Sequence, residues 1–213
     1  MLRQAYLVGF NAVSCVLWTF VLLATLKAAY DLHWKDGALY AEIGWSLALI
    51  QSLAIFEIIH AALGWVRAAV LTTAIQVVSR LFLVWPVLYA HPTVAHHPAF
   101  ITMCFAWSLT EVVRYFMYAW SLVSSTSAPV FLIWLRYSMF MVLYPLGAGS
   151  EAILAYHVIP QVQHAHAAYA VALRWVLLFI VFAVYPPGLY VMYSHMLRQR
   201  RKVLGKTKTK KID

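Results

Sequence analysis

Six apolar segments, each long enough to cross a lipid bilayer as a helix, make up most of this chain. They cover approximately residues 5–26, 43–63, 68–89, 99–122, 129–156 and 168–196. A transmembrane helix needs about 20 mostly apolar residues. Only 11% of the 213 residues are charged, compared with about a quarter in a soluble domain. We therefore predict an all-α integral membrane protein, a six-transmembrane-helix bundle (1–197) without a separate soluble domain.

The charged residues outside these segments predict the orientation of the bundle. Eight of the sixteen Lys and Arg residues lie in the tail 198–213, which accounts for most of the net charge of +9. Arg3 and Arg67 fall on the same side as this tail, whereas Lys27 and Lys35 lie opposite and are offset by three acids. Positive charge marks the cytosolic side of a membrane protein. We predict cytosolic N- and C-termini and a tail that faces lipid headgroups rather than nucleic acid.

Several ionisable and amide residues interrupt the apolar segments, and such groups at membrane depth need a partner or a task. They are Gln51, Glu57, His60, Gln76, Arg80, Glu111, Arg114, Arg136 and Glu151. Glu111 and Arg114 have i,i+3 spacing, so they face one side of a helix. This pair is either a structural ion pair that fixes the helix register or part of a cavity wall near Tyr144. We expect Glu57 to join a polar network with Arg80.

The fifth segment carries a phenol and a carboxylate in a regular pattern. Tyr144 and Glu151 are seven residues apart, which on a helix separates them by about 10 Å along the axis and about 20° around it. Tyr137 lies one heptad before Tyr144 on the same stripe. A buried phenol and a carboxylic acid form a candidate pair for general acid/base chemistry.

Proline and glycine residues follow Tyr144 directly. Pro145 removes a helical hydrogen bond to the carbonyl of Met141, and Gly147 and Gly149 allow another group to approach the backbone closely. Two interpretations remain open, a packing kink and a kink that shapes a pocket between Tyr144 and Glu151. In either case we expect the fifth segment to be the broken one.

The sequence contains little that would indicate a metal site or a functional cysteine. A di-iron site would need two Glu-x-x-His motifs, and only Glu57 and His60 form one. The histidine pair His96-His97 lacks the further histidine boxes of a membrane desaturase. Cys15 and Cys104 are two isolated cysteines within apolar runs, which indicates neither a disulfide framework nor a zinc site. We predict no metal and no cofactor.

Five short motifs together resemble one known family. They are Leu53-Ala-Ile-Phe-Glu-Ile-Ile-His60, Trp107-Ser-Leu-Thr-Glu-Val-Val-Arg-Tyr115, Trp134-Leu-Arg-Tyr137, Leu143-Tyr-Pro-Leu-Gly147 and Glu151. In this order and spacing, the sequence resembles the very-long-chain 3-hydroxyacyl-CoA dehydratases, also called the protein-tyrosine-phosphatase-like A family. The motifs extend over most of the chain.

The resemblance implies both a location and a reaction. It implies a six-span protein of the endoplasmic reticulum that removes water from 3-hydroxyacyl-CoA to give trans-2-enoyl-CoA, without a cofactor. The family's catalytic Tyr and Glu fall on Tyr144 and Glu151, and its functionally sensitive Arg and Gly fall on Arg136 and Gly147. Its partners would be the acyl-CoA substrate and the other enzymes of fatty-acid elongation, namely the condensing enzyme and the reductases. The end of the chain, Lys210-Lys-Ile-Asp213, is similar to a dilysine retrieval signal.

Other assignments remain open at the level of sequence. Either Tyr144 or Glu151 could be the base, and substrate-binding or supporting roles are expected for Arg136, Gly147, Tyr137, Glu111, Arg114, Arg80 and Glu57. The alternative functions are a small transporter, which would show broken helices in symmetry-related halves, and a non-catalytic scaffold. The presence of both Tyr144 and Glu151 argues against the scaffold.

Overall fold

The computed structural model describes residues 1–31, 37–124, 128–163 and 168–209, and its regular structure within these ranges is entirely helical. The α-helices are α1 (Leu2–Tyr30), α2 (Ala38–Ser52), α3 (Ile55–Ala62), α4 (Val70–Phe82), α5 (Ala99–Val123), α6 (Val130–Gln163), α7 (Ala168–Phe179) and α8 (Tyr185–Thr209). Two π-helical segments, Leu83–Tyr89 and Ile180–Val184, and a short 3-10 helix, Pro92–His96, connect some of them. The predicted all-α class is confirmed.

Five helical stretches are long and apolar enough to cross a membrane. They are Leu2–Tyr30, Ala38–Ala62, Val70–Tyr89, Val130–Val162 and Ala168–Val203. The sequence predicts six spans, and the difference is α5, because the charges of Glu111 and Arg114 and several polar residues reduce its mean hydropathy. α5 is nevertheless a continuous helix of 25 residues.

α5 is the central helix of the bundle and packs most extensively against α1 and α6. It runs antiparallel to α1, because Gln4 near the start of α1 donates to the carbonyl of Leu122 near the end of α5, at 2.5 Å. Farther along, the thiol of Cys15 lies 3.6 Å from the carbonyl oxygen of Val112. The largest fully buried side chains around this axis include Phe100 and Met103 of α5 itself.

The start of α1 and the basic part of α8 lie at the same end of the bundle. Tyr118, in the last turns of α5, accepts a hydrogen bond of 3.3 Å from Arg136 near the start of α6. Arg200 of α8 donates to Ser138 of α6 at 3.2 Å. Together with the α1–α5 contact at Gln4, these bonds place the start of α1, the end of α5, the start of α6 and the second half of α8 together. We call this region the basic end.

The α-helical pattern is interrupted elsewhere than expected. α6 continues through both Pro145 and Pro160. The α-helical pattern instead breaks at residues 53–54 between α2 and α3, and becomes π-helical around Pro86 and ahead of Pro186. The expectation that only the fifth segment is broken is therefore wrong.

One side chain helps to explain why α6 tolerates Pro145. The carbonyl of Met141, which the proline leaves without its helical donor, accepts a long hydrogen bond of 3.5 Å from the hydroxyl of Tyr193 on α8. Proline is tolerated in membrane helices when a neighbouring group satisfies the freed backbone atom. The contact between α6 and α8 thus replaces the missing bond.

Some of the sequence features lie outside the described residues. These are Lys35 and Asp36, the loop 125–127, the histidines His164 and His166, and the retrieval-like end Lys210–Asp213.

Candidate active site

The stripe of Tyr137, Tyr144 and Glu151 lies on one uninterrupted helix, α6. Because α6 is continuous, the heptad spacing expected from the sequence applies, with about 10 Å along the axis between Tyr144 and Glu151. All three side chains are partly exposed rather than buried. They are therefore accessible on one face of α6.

The Glu151 carboxylate is held from two other helices. Its Oε1 atom accepts a hydrogen bond of 2.7 Å from the indole Nε1 of Trp107 on α5. Its Oε2 atom accepts one of 2.8 Å from the hydroxyl of Tyr185 at the start of α8. An indole N–H can only donate, so Oε1 is an acceptor. Each oxygen of the carboxylate keeps a further lone pair available.

The hydroxyl of Tyr144 forms no hydrogen bond within the part of the chain that the structure describes. Tyr144 precedes Glu151 by seven residues on the continuous helix α6. Tyr144 is thus a free donor one heptad before a carboxylate that Trp107 and Tyr185 hold.

Gly147 brings α6 close to α5 at this level. A Cβ atom added at Gly147 would lie 3.4 Å from the Cβ of Ala106 and 3.8 Å from the Trp107 ring, whereas one added at Gly149 would meet nothing within 4 Å. Close packing at Gly147 supports the contact of Trp107 with Glu151. α6 continues as a helix through Pro145 at this level.

Glu111 is the centre of a buried ion-pair network. It is 3% exposed, and its Oε1 accepts from Arg80 of α4 at 2.5 Å while its Oε2 accepts from Arg114 at 2.6 Å. The expected i,i+3 pair of Glu111 and Arg114 is present on α5, and Arg80 from a second helix, α4, completes it. Within the described part of the chain, Arg136 is not a partner of Glu111 and instead donates to Tyr118.

Arg114 extends the network to α3. Its two terminal nitrogens donate to both oxygens of Glu57, at 2.7 and 2.9 Å, and this bidentate geometry is the strong form of the Arg–carboxylate pair. The hydroxyl of Tyr115 also donates to Glu57. Glu57 and Arg80 therefore belong to one network, as expected, but are connected only through Arg114 and Glu111.

An aromatic ring connects this network to the Glu151 site. The guanidinium of Arg80 lies over the ring of Trp107, 4.8 Å from its centroid, a cation–π distance. The indole N–H at the edge of the same ring donates to Glu151. Trp107 is 2% exposed, so the network and the Glu151 carboxylate share one buried wall.

Arg136 differs from these arginines, because no carboxylate among the described residues lies within ion-pair distance of it. Its guanidinium donates to Tyr118 and lies 4.9 Å from the centre of the same ring. With Arg114 and Tyr137 it lines a cavity of about 310 Å³ between α5, α6 and α8. The cavity is at the basic end and includes no acidic side chain in its lining.

The histidines that the structure describes form no cluster of the kind a metal needs. His60 binds the hydroxyl of Tyr6 at 3.0 Å and stacks on Trp65, so it does not join the Glu57 network. His97 stacks on His157, with ring centres 4.4 Å apart. Among the described residues, no group of three or more His, Cys, Asp or Glu side chains could hold a metal ion.

Two residues of the site are absent from the sequence-based set. Tyr185 lies in an apolar segment without a polar neighbour at helical spacing, and its only distinguishing sign is the Pro186-Pro187 pair that follows. Trp107 belongs to a recognised motif, but nothing in that motif indicates that its indole faces Glu151. Both become visible only when three helices are assembled.

The chain is similar to known proteins over almost its full length. A model of the family described as protein tyrosine phosphatase-like protein, PTPLA, matches residues 51–206. The Schizosaccharomyces pombe protein named "Probable very-long-chain (3R)-3-hydroxyacyl-CoA dehydratase" is 43% identical over 95% of this chain and 94% of its own length. The Caenorhabditis elegans very-long-chain (3R)-3-hydroxyacyl-CoA dehydratase hpo-8 is 36% identical over 98% of both chains. No solved structure matches the chain.

A human protein is also similar to almost the whole chain. The human very-long-chain (3R)-3-hydroxyacyl-CoA dehydratase 2 is 34% identical over 99% of this chain and 85% of its own length. These matches confirm the resemblance that the five motifs indicate. The chain belongs to the PTPLA family of protein tyrosine phosphatase-like proteins.

Proposed function

We propose that this protein removes water from very-long-chain (3R)-3-hydroxyacyl-CoA to give trans-2-enoyl-CoA, with Glu151 as the base and Tyr144 as the acid. The relatives named above carry this activity in their names. The single observation that supports the site is the Glu151 carboxylate, held at one oxygen by Trp107 and at the other by Tyr185, on the stripe that carries Tyr144.

The assignment of base and acid follows from the hydrogen bonds. Both oxygens of Glu151 act as acceptors towards Trp107 and Tyr185, which suits a base that takes a proton from C2 next to the thioester carbonyl. Tyr144 has a free hydroxyl that can donate a proton to the C3 hydroxyl as it leaves as water. Transfer of the proton from Glu151 to the Tyr144 phenolate then restores both groups. General acid/base catalysis of this kind contributes about 10²- to 10⁴-fold each.

The supporting residues fix the geometry of this pair. Gly147 allows α5 to approach α6, and the hydrogen bond from Trp107 of α5 holds Glu151 in position. The Glu57, Arg80, Glu111 and Arg114 network anchors the other face of Trp107. The two carboxylates and two guanidinium groups of this network are matched to one another, and this favours an enzyme over a transporter.

We further propose six spans, with α5 as the sixth. Its 25 residues extend about 37 Å, which exceeds the hydrocarbon thickness of about 30 Å. An even number of spans agrees with the contacts that bring the start of α1 and the basic part of α8 to one end. The basic residues there favour the cytosolic side for both termini.

The cellular setting is part of the same proposal. The 3-hydroxyacyl-CoA must come from a reductase that acts on a 3-ketoacyl-CoA, and the enoyl product must pass to a second reductase. The enzymes of fatty-acid elongation are thus the proposed partners, and the endoplasmic reticulum membrane is the proposed location.

Turnover by purified variants tests the proposal. Tyr144→Phe and Glu151→Gln are assayed with (3R)-3-hydroxyacyl-CoA, and enoyl-CoA is quantified as product. Each variant should lose at least about 100-fold in kcat, while the matched controls Tyr156→Phe, an exposed tyrosine of α6, and Glu42→Gln, an exposed acid of α2, should retain activity. Near-normal turnover by both site variants, at normal expression, would refute the assignment.

A further inference from the structure

We propose that the cavity between α5, α6 and α8 is the binding site for the diphosphate of coenzyme A, with Arg136 as its principal ligand. This inference rests on the dehydratase function proposed above. It adds a binding place for the part of the substrate that does not react, and it gives a role to Arg136, whose charge no carboxylate among the described residues neutralises.

The charge of the cavity favours an anion. Arg136 has no carboxylate partner among the described residues, and Arg114, whose partners are Glu57 and Glu111, also faces the cavity. A guanidinium matches phosphate geometry through its fork of N–H donors. An unpaired charge at membrane depth is costly, and a bound phosphate group would neutralise it. Arg200 of α8 donates a hydrogen bond to Ser138, two residues from Arg136 on α6, and so adds positive charge beside the cavity.

The position of the cavity connects it to the reacting groups. Tyr137 and Phe140 line the cavity and precede Tyr144 by seven and four residues, so they share its face of α6. This face leads directly from the cavity to Tyr144 and on to Glu151. A substrate that lies along one side of α6 would contact the cavity first and the acid/base pair next.

The length of the pantetheine arm agrees with this path. Tyr144 lies about 12 Å and Glu151 about 22 Å beyond Arg136 along the helix axis. The arm contains two amide units and has the length of four to five extended residues, about 15 Å. With the diphosphate at Arg136, the thioester therefore falls between the levels of Tyr144 and Glu151. Carbons C2 and C3 then lie where the base and the acid are needed.

The size and location of the cavity also fit a partial substrate site. Its volume of about 310 Å³ is at the lower end of the range for small-molecule pockets, enough for the diphosphate and the first part of the arm. It lies at the basic end, from which a water-soluble nucleotide would approach. The nucleotide itself would remain outside the cavity, in water.

Two substrates that differ only in the nucleotide test this site. The purified protein is assayed with 3-hydroxyacyl-CoA and with the matching 3-hydroxyacyl-pantetheine, which lacks the diphosphate. For Arg136→Gln we expect kcat/KM with the CoA thioester to fall about tenfold or more, through KM, since hydrogen bonds to charged groups contribute that much. With the pantetheine thioester kcat/KM should change by less than about twofold.

Matched variants separate this role from others. Arg136→Lys keeps the charge and should restore part of the loss. Arg198→Gln removes the same charge from an exposed position of α8 and should leave the ratio of kcat/KM for the two substrates unchanged. An equal loss for both substrates in Arg136→Gln, or a loss for neither, overturns the proposal.

A lipid headgroup offers the same phosphate chemistry, so the assay is repeated with and without anionic phospholipid in the detergent. Arg136→Gln could abolish an effect of the lipid on turnover and leave unchanged the ratio of kcat/KM for the two substrates. In that case the cavity binds lipid and the proposal fails. Calorimetric binding of free coenzyme A is independent of turnover. Affinity that falls in Arg136→Gln but not in Arg198→Gln supports the site, even if the dehydratase function itself fails, and equal affinities overturn it.

Discussion

The hydroxyl of Tyr185 at the start of α8 donates a hydrogen bond of 2.8 Å to the Glu151 carboxylate of α6, across 34 residues of sequence. Glu151 also accepts from Trp107 of α5, so three helices meet at one carboxylate. This arrangement fixes the direction of the proposed base before substrate binds. Pre-organisation of this kind reduces the reorganisation needed at the moment of reaction.

Tyr185→Phe removes the hydroxyl and keeps the ring. A hydrogen bond to a charged group contributes about 1.5–3 kcal/mol, so we expect kcat to fall by about 10- to 100-fold with little change in KM. Tyr190→Phe is the matched control, because Tyr190 is on the same helix and is 75% exposed. Steady-state kinetics on both variants check the prediction. A change confined to KM would assign Tyr185 to substrate binding instead.

Trp107→Phe tests the second donor to Glu151. The phenyl ring keeps an aromatic face for Arg80, but the N–H to Glu151 is lost, and we expect a fall in kcat of the same order, about 10-fold or more. Trp120→Phe serves as control, since its buried indole N–H has no hydrogen-bond partner among the described residues and its removal leaves no acceptor unpaired. If both variants behave alike, the N–H of Trp107 has no special role.

The sequence predicts relationships within a helix better than those between helices. The stripe of Tyr144 and Glu151 and the pair of Glu111 and Arg114 follow from helix geometry alone, and the structure contains both. Which arginine reaches which acid depends on the neighbours of each helix, and residue spacing contains no information about them. The sequence predicts Arg80 near Glu57, but in the structure Arg80 binds Glu111. Arg114 binds both Glu111 and Glu57, so Arg80 and Glu57 are connected only indirectly.

Breaking the network should destabilise the bundle. Glu111→Gln leaves Arg80 without its carboxylate partner, while Arg114 keeps Glu57, and removal of one partner from a buried pair costs about 3–5 kcal/mol. We expect a clear fall in the thermal midpoint of the purified protein in detergent, measured together with its elution profile. Glu42→Gln, an exposed acid on α2, should leave the midpoint unchanged. An unaltered midpoint in Glu111→Gln would show that the network does not stabilise the fold.

His97 makes stability depend on pH. Burial, and next the neighbouring His157, lower the pKa of His97 below its ordinary value of 6.5, and its Nδ1 accepts a hydrogen bond of 3.1 Å from the amide of Ala99. Because the unfolded chain binds the proton more readily, this stabilisation is complete above about pH 6.5 and is lost as the pH falls through the pKa of the folded protein.

The thermal midpoint should therefore fall on acidification below about pH 6.5. In His97→Asn this dependence should weaken, since the Asn oxygen can accept from Ala99 without titrating. His195→Asn, at an exposed position of α8, should retain the dependence of the unmodified protein. Equal acid sensitivity of all three proteins would rule out His97 as the responsible group.

The prolines show why the broken helices could not be located from the sequence. Proline removes a donor wherever it occurs, but the outcome depends on what lies opposite. At Pro145, Tyr193 supplies a replacement donor to Met141, and α6 stays continuous. The segment around Pro86 becomes π-helical instead. The difference lies in the packing of neighbouring helices, which a pattern within one segment does not include.

Gly147 offers a direct test of the contact between α5 and α6. Alanine fits, because its Cβ would lie 3.4 Å from that of Ala106, whereas valine adds methyl groups that must separate the helices and draw Trp107 away from Glu151. We expect Gly147→Ala to retain activity and Gly147→Val to lose about tenfold or more in kcat, as for loss of the Trp107 bond. Gly149→Val, with open space at its Cβ position, controls for valine in a helix. If Gly149→Val impairs turnover as much as Gly147→Val, helix propensity and not helix contact is the cause.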